Sequence, residues 1–284
     1  MLYTIDHETT YSYSERVRES YTVCHLQPMS DVTQYCTGFD LTIEPSAQIF
    51  FYRDRFGNEA QHFSYLPDHD ALKICARSSV VTAGPANPPL PAPAYRDVLA
   101  ADPSLPELYD FLHESAYVLL GPELREFAAW LGQPGDDLSV YFIRAGEAIH
   151  ELFRYDREAT GVHTIVDEAV SLRSGVCQDF AHVLVALCRL HGIPARYVSG
   201  YIHTRSGDDV LGAEASHAWC EAYLPPHGWV GFDPTNARLI NNEFVKIAVG
   251  RDYRDVSPVR GVYKGASQGS LTVNVAVEAL TTSQ

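Results

Sequence analysis

Residues 174–182 read SGVCQDFAH and place Cys177 between a glycine turn and the first turn of an apolar helix. The unpaired N–H groups and the positive dipole end at a helix N-terminus favour a thiolate, which is the nucleophilic form of cysteine. The backbone N–H of Cys177 would also point at an oxyanion formed on an attacked carbonyl. These features indicate a nucleophile, and a buried structural cysteine is the alternative for Cys177 taken alone.

A histidine and an aspartate further along the chain could complete the chemistry of such a thiolate. If His217 pairs with Asp233 across a hairpin whose loop spans 223–227, both side chains point to one face of the sheet. The carboxylate would then orient the imidazole, which would take the thiol proton and later protonate the leaving amine. An ordinary strand histidine and an aspartate that caps the turn before Pro234 would explain the same residues without chemistry.

Composition limits the classes of partner. The 284 residues suffice for one large domain or two modest ones, and the hydrophobic share of 46% suits a soluble globular protein. Lys and Arg number 21 against 36 Asp and Glu, so the formal net charge of −15 repels phosphate backbones and we expect no nucleic-acid partner. No run of 18 apolar residues predicts a membrane span, and no apolar signal-peptide core stands at the N-terminus. The expected location is cytoplasmic, with no membrane partner.

The six cysteines show no CxxC pair, which argues against a zinc ribbon and a thioredoxin-type motif. Mostly buried thiols in a reducing compartment are the simplest interpretation. Glycine-rich phosphate loops and metal-ligand spacings are also missing from the sequence. We therefore predict no metal and no other cofactor.

The elements that must position these residues follow from a change in periodicity. Residues 1–82 alternate between polar and apolar or aromatic types, which predicts an N-terminal antiparallel β-sandwich. Residues 83–106 contain seven prolines and predict a semi-rigid linker. Residues 107–284 predict a catalytic domain of helices followed by an antiparallel sheet, so the expected fold class is α+β.

Within the predicted catalytic domain, apolar residues three and four apart indicate several helices. One helix would be capped by Thr164 and closed by Gly175. The next would begin near Cys177 and carry an apolar stripe as far as Leu190, with Gly192 at its C-terminal cap. The later strands include the segment LTVNVAVEAL.

The motifs GVCQDFAHVLVALCRLHGIPARYVSGY and SHAWCEAYLPPHGWVGFDPTN resemble the bacterial branch of the transglutaminase-like superfamily. Within that branch the sequence resembles a group often described as proposed cysteine proteases. The similarity covers about residues 162–260, and the strand-rich first 82 residues resemble the N-terminal region of the family. The resemblance implies a papain-like core with Cys177 as nucleophile, His217 as base and Asp233 as the third member.

Two aromatic residues are further candidates for the cleft. The wider superfamily uses an upstream aromatic donor to complete the oxyanion hole, and Tyr155 lies upstream of the nucleophile. Trp219 shares a strand face with His217 and could shield the site from water. Simple packing in the core is the alternative for both side chains.

The predicted function is cysteine-dependent attack on an amide carbonyl, of a peptide bond or a glutamine side chain, through a thioester. Resolution of the thioester by water gives a protease or amidase, whereas resolution by an amine gives a transglutaminase. The resemblance to the protease-like group favours hydrolysis, with a protein or peptide as substrate. A non-catalytic binding module on the same fold, and an N-terminal sandwich that recruits a partner, are two competing hypotheses. The sequence does not predict the oligomeric state.

Overall fold

The computed structural model of the chain describes residues 1–84, 89–90, 93–102, 105–204, 210–212, 216–266 and 269–280. The strands are β1 (Leu2–Cys24), β2 (Gln34–Glu44), β3 (Ile49–Arg53), β4 (Glu59–Tyr65), β5 (His69–Thr82), β6 (Arg154–Tyr155), β7 (Ser174–Gly175), β8 (Ala195–Ile202), β9 (His217–Tyr223), β10 (Trp229–Asp233), β11 (Arg238–Leu239), β12 (Phe244–Gly250), β13 (Val259–Lys264) and β14 (Gly269–Ala279). The helices are α1 (Arg96–Ala100), α2 (Pro122–Leu131), α3 (Leu138–Leu152), α4 (Val166–Leu172), α5 (Cys177–Leu190) and α6 (Tyr253–Val256), and a 3-10 helix spans Leu105–Phe111.

The long strand β1 organises the N-terminal part of the molecule. Its first half pairs with β5 and β14, and its second half pairs with β4 and β13, all antiparallel. Between the halves the register shifts from Ser12 to Val17, so the two half-sheets curl towards one another. Apolar side chains such as Phe63, Leu72 and Ile74 are buried in this curl. The α+β class with an N-terminal antiparallel sheet, predicted from the sequence, is confirmed.

The last two strands lie elsewhere than the sequence suggests. β14 pairs with β1 from Tyr3↔Ala279 to Tyr13↔Gly269, so it completes the N-terminal sheet although the sequence pattern assigns residues 107–284 to the catalytic domain. An alternating pattern indicates a strand but does not say which distant strand will pair with it.

The proline-rich linker also differs in part from its prediction, because 83–106 contains the short helix α1. Residues 85–88, 91–92 and 103–104 of this predicted linker lie outside the described residues.

The second sheet has the strand order β11-β10-β9-β8-β12 and is antiparallel throughout. Helix α5 packs against β8 and β9, and it begins at Cys177, which confirms the predicted helix. Its residues from Gln178 to Arg189 are all buried, so α5 is the central helix of the core rather than a surface helix. Each large apolar side chain buried here contributes about 2 kcal/mol to folding. The first residue of α5 is thereby held in place by the whole helix.

Two predicted caps of the helix before α5 are wrong. The N-cap of α4 is Ile165 rather than Thr164, whose hydroxyl instead accepts a hydrogen bond from the N–H of Gly161 at 2.9 Å. The C-cap is Arg173, in the left-handed region with φ of 44°, rather than Gly175. Tertiary contacts of Ser174 and Gly175, which form β7 beside β6, end the helix earlier than its sequence pattern suggests.

The β9–β10 hairpin has a register two residues away from the predicted one. Ala222 pairs with Val230, and the loop spans 224–228, closed by a hydrogen bond from the N–H of Leu224 to the carbonyl of Gly228 at 2.8 Å. A shift of two residues leaves every side chain on its predicted face, because the side-chain period of a strand is two. Asp233 therefore still points to the same face as His217, but it lies opposite a position two residues closer to the turn.

Within the described residues, no helix combines the length and apolarity that crossing a membrane requires.

Candidate active site

Cys177 is the first residue of α5 and is half-buried. The chain reaches Cys177 through β7, and the parallel pairing of β7 with β6 holds the segment that enters the helix. One carboxylate oxygen of Asp179 accepts hydrogen bonds from the N–H of Val176 at 2.8 Å and from the hydroxyl of Thr160 at 2.7 Å. A Cβ at Gly175 would lie 2.5 Å from that carboxylate, so only glycine allows this close passage. Asp179 thus stabilises the N-terminus of α5.

His217 and Asp233 form a fully buried pair. The N–H at Nε2 of His217 donates to Oδ2 of Asp233 at 2.8 Å. The carboxylate is itself oriented, because Oδ1 accepts from the N–H of Thr235 at 2.9 Å and Oδ2 accepts from the side chain of Asn236 at 2.8 Å. A carboxylate held in this way fixes both the orientation and the tautomer of the imidazole.

The surroundings of the pair favour the charged imidazolium. Burial alone would lower the pKa of His217, but the carboxylate of Asp233 and then the thiol of Cys177 outweigh it and raise the pKa from 6.5 to about 10. Burial would likewise raise the pKa of Asp233, but the imidazolium holds it below its ordinary value. Nδ1 of His217 is buried and makes no hydrogen bond to a described residue. An imidazolium with one nitrogen on a carboxylate and the other facing a thiol stabilises the thiolate.

Cys177 and His217 open onto one cavity of about 470 Å³. Its lining comes from β6, the start of α5, β8, the start of β9 and α6, from residues in the segments before α5 and β9, and from one residue of β14, Val273. Tyr155, a candidate from the sequence, lies in this lining and packs edge-on against Phe180. The structure therefore brings Tyr155 together with the cysteine and the histidine.

Trp219 does not line this cavity. It is fully buried behind the imidazole, with ring centroids 6.5 Å from His217 and 5.4 Å from Phe244. Its outer surface faces a separate cavity of about 550 Å³, to which Thr82 and Ala83 also contribute. Trp219 packs against the base rather than contacting the cleft, because two residues along β9 from His217 the same strand face borders the second cavity instead.

Tyr197 of β8 is a cavity residue that the sequence analysis missed. Burial, and then the charge of Cys177, raise the pKa of Tyr197 well above its usual value, so the phenol keeps its proton. Its hydroxyl makes no hydrogen bond to any described side chain, although the residue is almost fully buried beside Cys177 in the cavity lining. Tyr197 is therefore a neutral hydrogen-bond donor available to a ligand. A tyrosine in the first strand after the helix that carries the nucleophile is the sequence feature that could have identified Tyr197 as a candidate.

The segment RDYRD at 251–255 positions another residue of the cavity, Tyr253. The carboxylate of Asp252 caps α6 and accepts from the N–H of Tyr117 at 2.9 Å. The buried His182 accepts a hydrogen bond at Nε2 from the N–H of Tyr253 at 3.1 Å, and its burial lowers its pKa to about 4. A neutral His182 is what this contact requires, because only an unprotonated nitrogen can accept.

An ion cluster fixes the strand that carries His217. Glu221 of β9 accepts from Arg196 at 2.7 Å and pairs with Lys246 at 2.7 Å, and Lys246 also reaches Asp31 at 3.0 Å. Burial alone would raise the pKa of Glu221, but Lys246 and Arg196 lower it to about 2. The cluster joins β9 to β8, β12 and the N-terminal part of the chain. In the described ranges, no group of three or more His, Cys, Asp or Glu side chains is placed to hold a metal ion.

Gly212 lies against the base in a way that only glycine permits. Its φ is +79°, and a Cβ there would lie 2.9 Å from Nδ1 of His217 and 3.4 Å from the hydroxyl of Tyr155. We expect Gly212→Ala to lower kcat at least about tenfold, because the methyl group would occupy the space beside the nitrogen that faces the thiol. Gly192→Ala is the matched control, since Gly192 has a φ of +72° with no neighbour within 4 Å of such a Cβ. Equal losses of activity in the two variants would show that backbone strain alone accounts for the effect.

Comparisons with known proteins give the family of the chain. Residues 140–234 match the transglutaminase-like superfamily, and residues 3–81 match the bacterial transglutaminase-like N-terminal region. An uncharacterized protein from Mycobacterium tuberculosis is 34% identical over 291 residues, covering 97% of this chain and 91% of that protein. The chain belongs to the transglutaminase-like superfamily, in the group that carries the bacterial N-terminal region.

Two further similarities bear on the chemistry. The crystal structure of a proposed cysteine protease from Cytophaga hutchinsonii superposes with a TM-score of 0.76 and 23% identity, covering 100% of this chain and 92% of that one. This likeness establishes the shared fold. A protein-glutamine gamma-glutamyltransferase from Pseudomonas aeruginosa is 35% identical over 92 residues, which are 30% of this chain and 14% of that protein. Family and relatives together support cysteine-based catalysis.

Proposed function

We propose that the protein is a thiol hydrolase that attacks amide carbonyls of a protein or peptide through Cys177. The observation that carries the proposal is the orientation of His217, with Nε2 on Asp233 at 2.8 Å and Nδ1 left for the nucleophile in a shared cavity. The six cysteines are all free thiols, which supports a reducing, cytoplasmic setting.

The reaction would proceed in two steps that conserve protons. The Cys177 thiolate attacks the carbonyl carbon, and the imidazolium of His217 gives the proton at Nδ1 to the leaving amine as the C–N bond breaks. The product is a thioester on Cys177. A water molecule then attacks the thioester, His217 takes one of its protons, and the C–S bond breaks to release the acid and restore the ion pair.

The charge of the cavity supports water rather than an amine as the acceptor. Among the described residues that line it, none contributes a carboxylate. A lysine side chain arrives as an ammonium ion, for which this lining offers no carboxylate partner, whereas water needs no charge to enter. Acyl transfer to an amine is the second candidate, because the Pseudomonas aeruginosa relative is named for that reaction.

One assay distinguishes the two candidates. Unfolded casein is incubated with the protein and a fluorescent primary amine, and the same sample is analysed for new amino termini, ammonia and amine incorporation. We expect new amino termini or ammonia without amine incorporation, and no product from Cys177→Ala. Amine incorporation without cleavage would replace hydrolysis by acyl transfer. Equal products from Cys177→Ala would contradict catalysis by this cysteine.

Tyr197 would stabilise the oxyanion together with the backbone N–H of Cys177. We expect Tyr197→Phe to lower kcat about a hundredfold with a smaller change in KM, because the hydroxyl would act only on the charge that develops in the transition state. Tyr155→Phe is the comparison, since the sequence resemblance assigns the same role to Tyr155. A larger loss in Tyr155→Phe would transfer the donor role to that residue, and full activity in Tyr197→Phe would rule out its role.

A further inference from the structure

The strand β14 has one paired edge and one open edge. It pairs with β1 along its whole length, and no described strand pairs with its other side. Edge strands of this kind usually carry charges, proline or bulges that prevent another chain from pairing. From Gly269 to Val277 this strand has none of these, because its sequence is GSLTVNVAV and its register with β1 is continuous.

The hydrogen-bond pattern between β1 and β14 shows which backbone groups of β14 point away from β1. The N–H of Leu280 donates to the carbonyl of Leu2 at 2.8 Å, which makes these two residues a hydrogen-bonded pair. Such pairs recur at every second residue of an antiparallel ladder, so even-numbered residues of β14 face β1. The same phase follows on the other side of β1, where the N–H of Thr82 donates to the carbonyl of Met1 at 2.8 Å. Odd-numbered residues of β14 therefore direct their N–H and C=O groups outwards.

The catalytic core occupies only one end of this open edge. The ring of His203 hydrogen-bonds the carbonyl of Val277 at 3.2 Å, which accounts for one outward group. In the part of the chain that the structure describes, Leu271, Val273 and Val275 make no hydrogen bond with their outward groups. Three consecutive outward positions are thus available to an incoming strand.

The open edge leads to the nucleophile. The side chain of Val273 lines the same cavity as Cys177, and Val275 lies two residues, about 7 Å, further along the strand. A chain paired with this edge would extend directly into the cavity. A second copy of this protein, paired edge to edge, is the other occupant that an open strand allows, but pairing with a copy would not account for the convergence of the edge on the nucleophile.

We propose that the outer edge of β14 binds an extended segment of the polypeptide substrate as an added strand and leads it to Cys177. The proposal rests on the proposed hydrolytic function for the chemistry, but it makes a separate claim about binding. Main-chain hydrogen bonds to an edge select for unfolded segments and depend little on side-chain identity. The substrate class is therefore unfolded or loosely folded protein rather than small amides.

The test compares two proline substitutions in adjacent residues. Val275→Pro removes an outward N–H and blocks an added strand, whereas Asn274→Pro removes an N–H that faces β1. The variants are made in the Cys177→Ala protein, and binding of fluorescent unfolded casein is measured by anisotropy. We expect Val275→Pro to weaken binding about tenfold, with a smaller fall in melting temperature than Asn274→Pro, because it keeps the ladder to β1 and loses only part of the packing of Val275 against the core. Asn274→Pro should lower the melting temperature, because it breaks the ladder to β1.

A second variant covers the case in which Val275→Pro does not fold. Replacement of Val275 by the corresponding α-hydroxy acid turns the amide into an ester, which deletes the N–H group and weakens the carbonyl of Asn274 as an acceptor but keeps the valine side chain and adds no ring. Unchanged casein affinity in a folded variant of either kind would overturn the proposal. So would a dimer in sedimentation that dissociates in the variant while casein affinity stays the same, since the edge would then serve a second copy. Because binding is read without turnover, a protein that binds casein through this edge but never cleaves it would contradict only the proposed function.

Discussion

Replacing His217 by alanine is expected to slow alkylation of Cys177 about a hundredfold at mildly acidic pH. A cysteine with the ordinary pKa of about 8.5 is less than about one per cent thiolate near pH 6. The pKa of His217 is raised to about 10, so it remains an imidazolium at that pH, and its positive charge beside the sulfur would speed the attack on the reagent. The measurement is the rate of iodoacetamide labelling of each cysteine against pH, by mass spectrometry, in the native protein and in His217→Ala.

Two other cysteines serve as controls within the same sample. Cys36 and Cys75 are partly exposed and lie in the N-terminal sheet, away from the cavity. Burial raises the pKa of each, so both should react slowly at acidic pH in both proteins. If Cys177 reacts no faster than these two in the native protein, the ion pair does not activate it, and a non-catalytic binding module becomes the better account of the fold.

Replacing Asp233 by asparagine is expected to lower kcat about 10⁴-fold, the size of effect seen when the acid of a serine-protease triad is neutralised in this way. An amide cannot stabilise the imidazolium, and it can present an N–H to Nε2 and so select the wrong tautomer. Casein affinity in the Cys177→Ala background should stay unchanged, because Asp233 is fully buried and does not line the cavity. A loss of less than tenfold would reduce Asp233 to a structural partner.

The same substitution should change how stability depends on pH. The pKa of His217 is raised from 6.5 to about 10 by folding, so its contribution is complete below pH 6.5 and is lost as the pH rises towards 10. The pKa of Asp233 is lowered from 3.8, so its contribution is present above pH 3.8 and is lost as the pH falls further. The melting temperature of the native protein should therefore fall as the pH rises from 6.5 to 10. In Asp233→Asn the melting temperature should depend less on pH over this range. A slope that survives in Asp233→Asn would place the titration at another group.

The sequence could locate the candidate site because its determinants are local. A cysteine after Ser-Gly at the start of an apolar run lies at a helix N-terminus whatever the rest of the fold does. His217 and Asp233 share a face of the sheet because side chains alternate along each strand. A shift of two residues in the hairpin register leaves this shared face unchanged. The exact register depended on the geometry of the 224–228 turn, which the side-chain pattern does not encode.

Non-local features escaped the sequence analysis. Tyr197 and Gly212 acquire their places beside the nucleophile and the base only when β8 and the segment before β9 converge. The pattern of LTVNVAVEAL correctly predicts a strand, but its partner β1 is nearly the whole chain away. Trp219 lies on the predicted face, yet its position along β9 places it at the second cavity rather than at the one that contains Cys177.

The closure of the first sheet by the last strands has a consequence during synthesis. Gly269, where β14 begins, follows the end of β1 at Cys24 by 245 residues. At about 5–20 residues per second, a ribosome needs on the order of tens of seconds to make that stretch. A nascent chain carries its nucleophile, base and acid once Asp233 is made, which is 40 residues, or about 2–8 s at that rate, before Val273 completes the cavity wall. We expect activity to begin only after β14 has emerged from the ribosome and paired with β1.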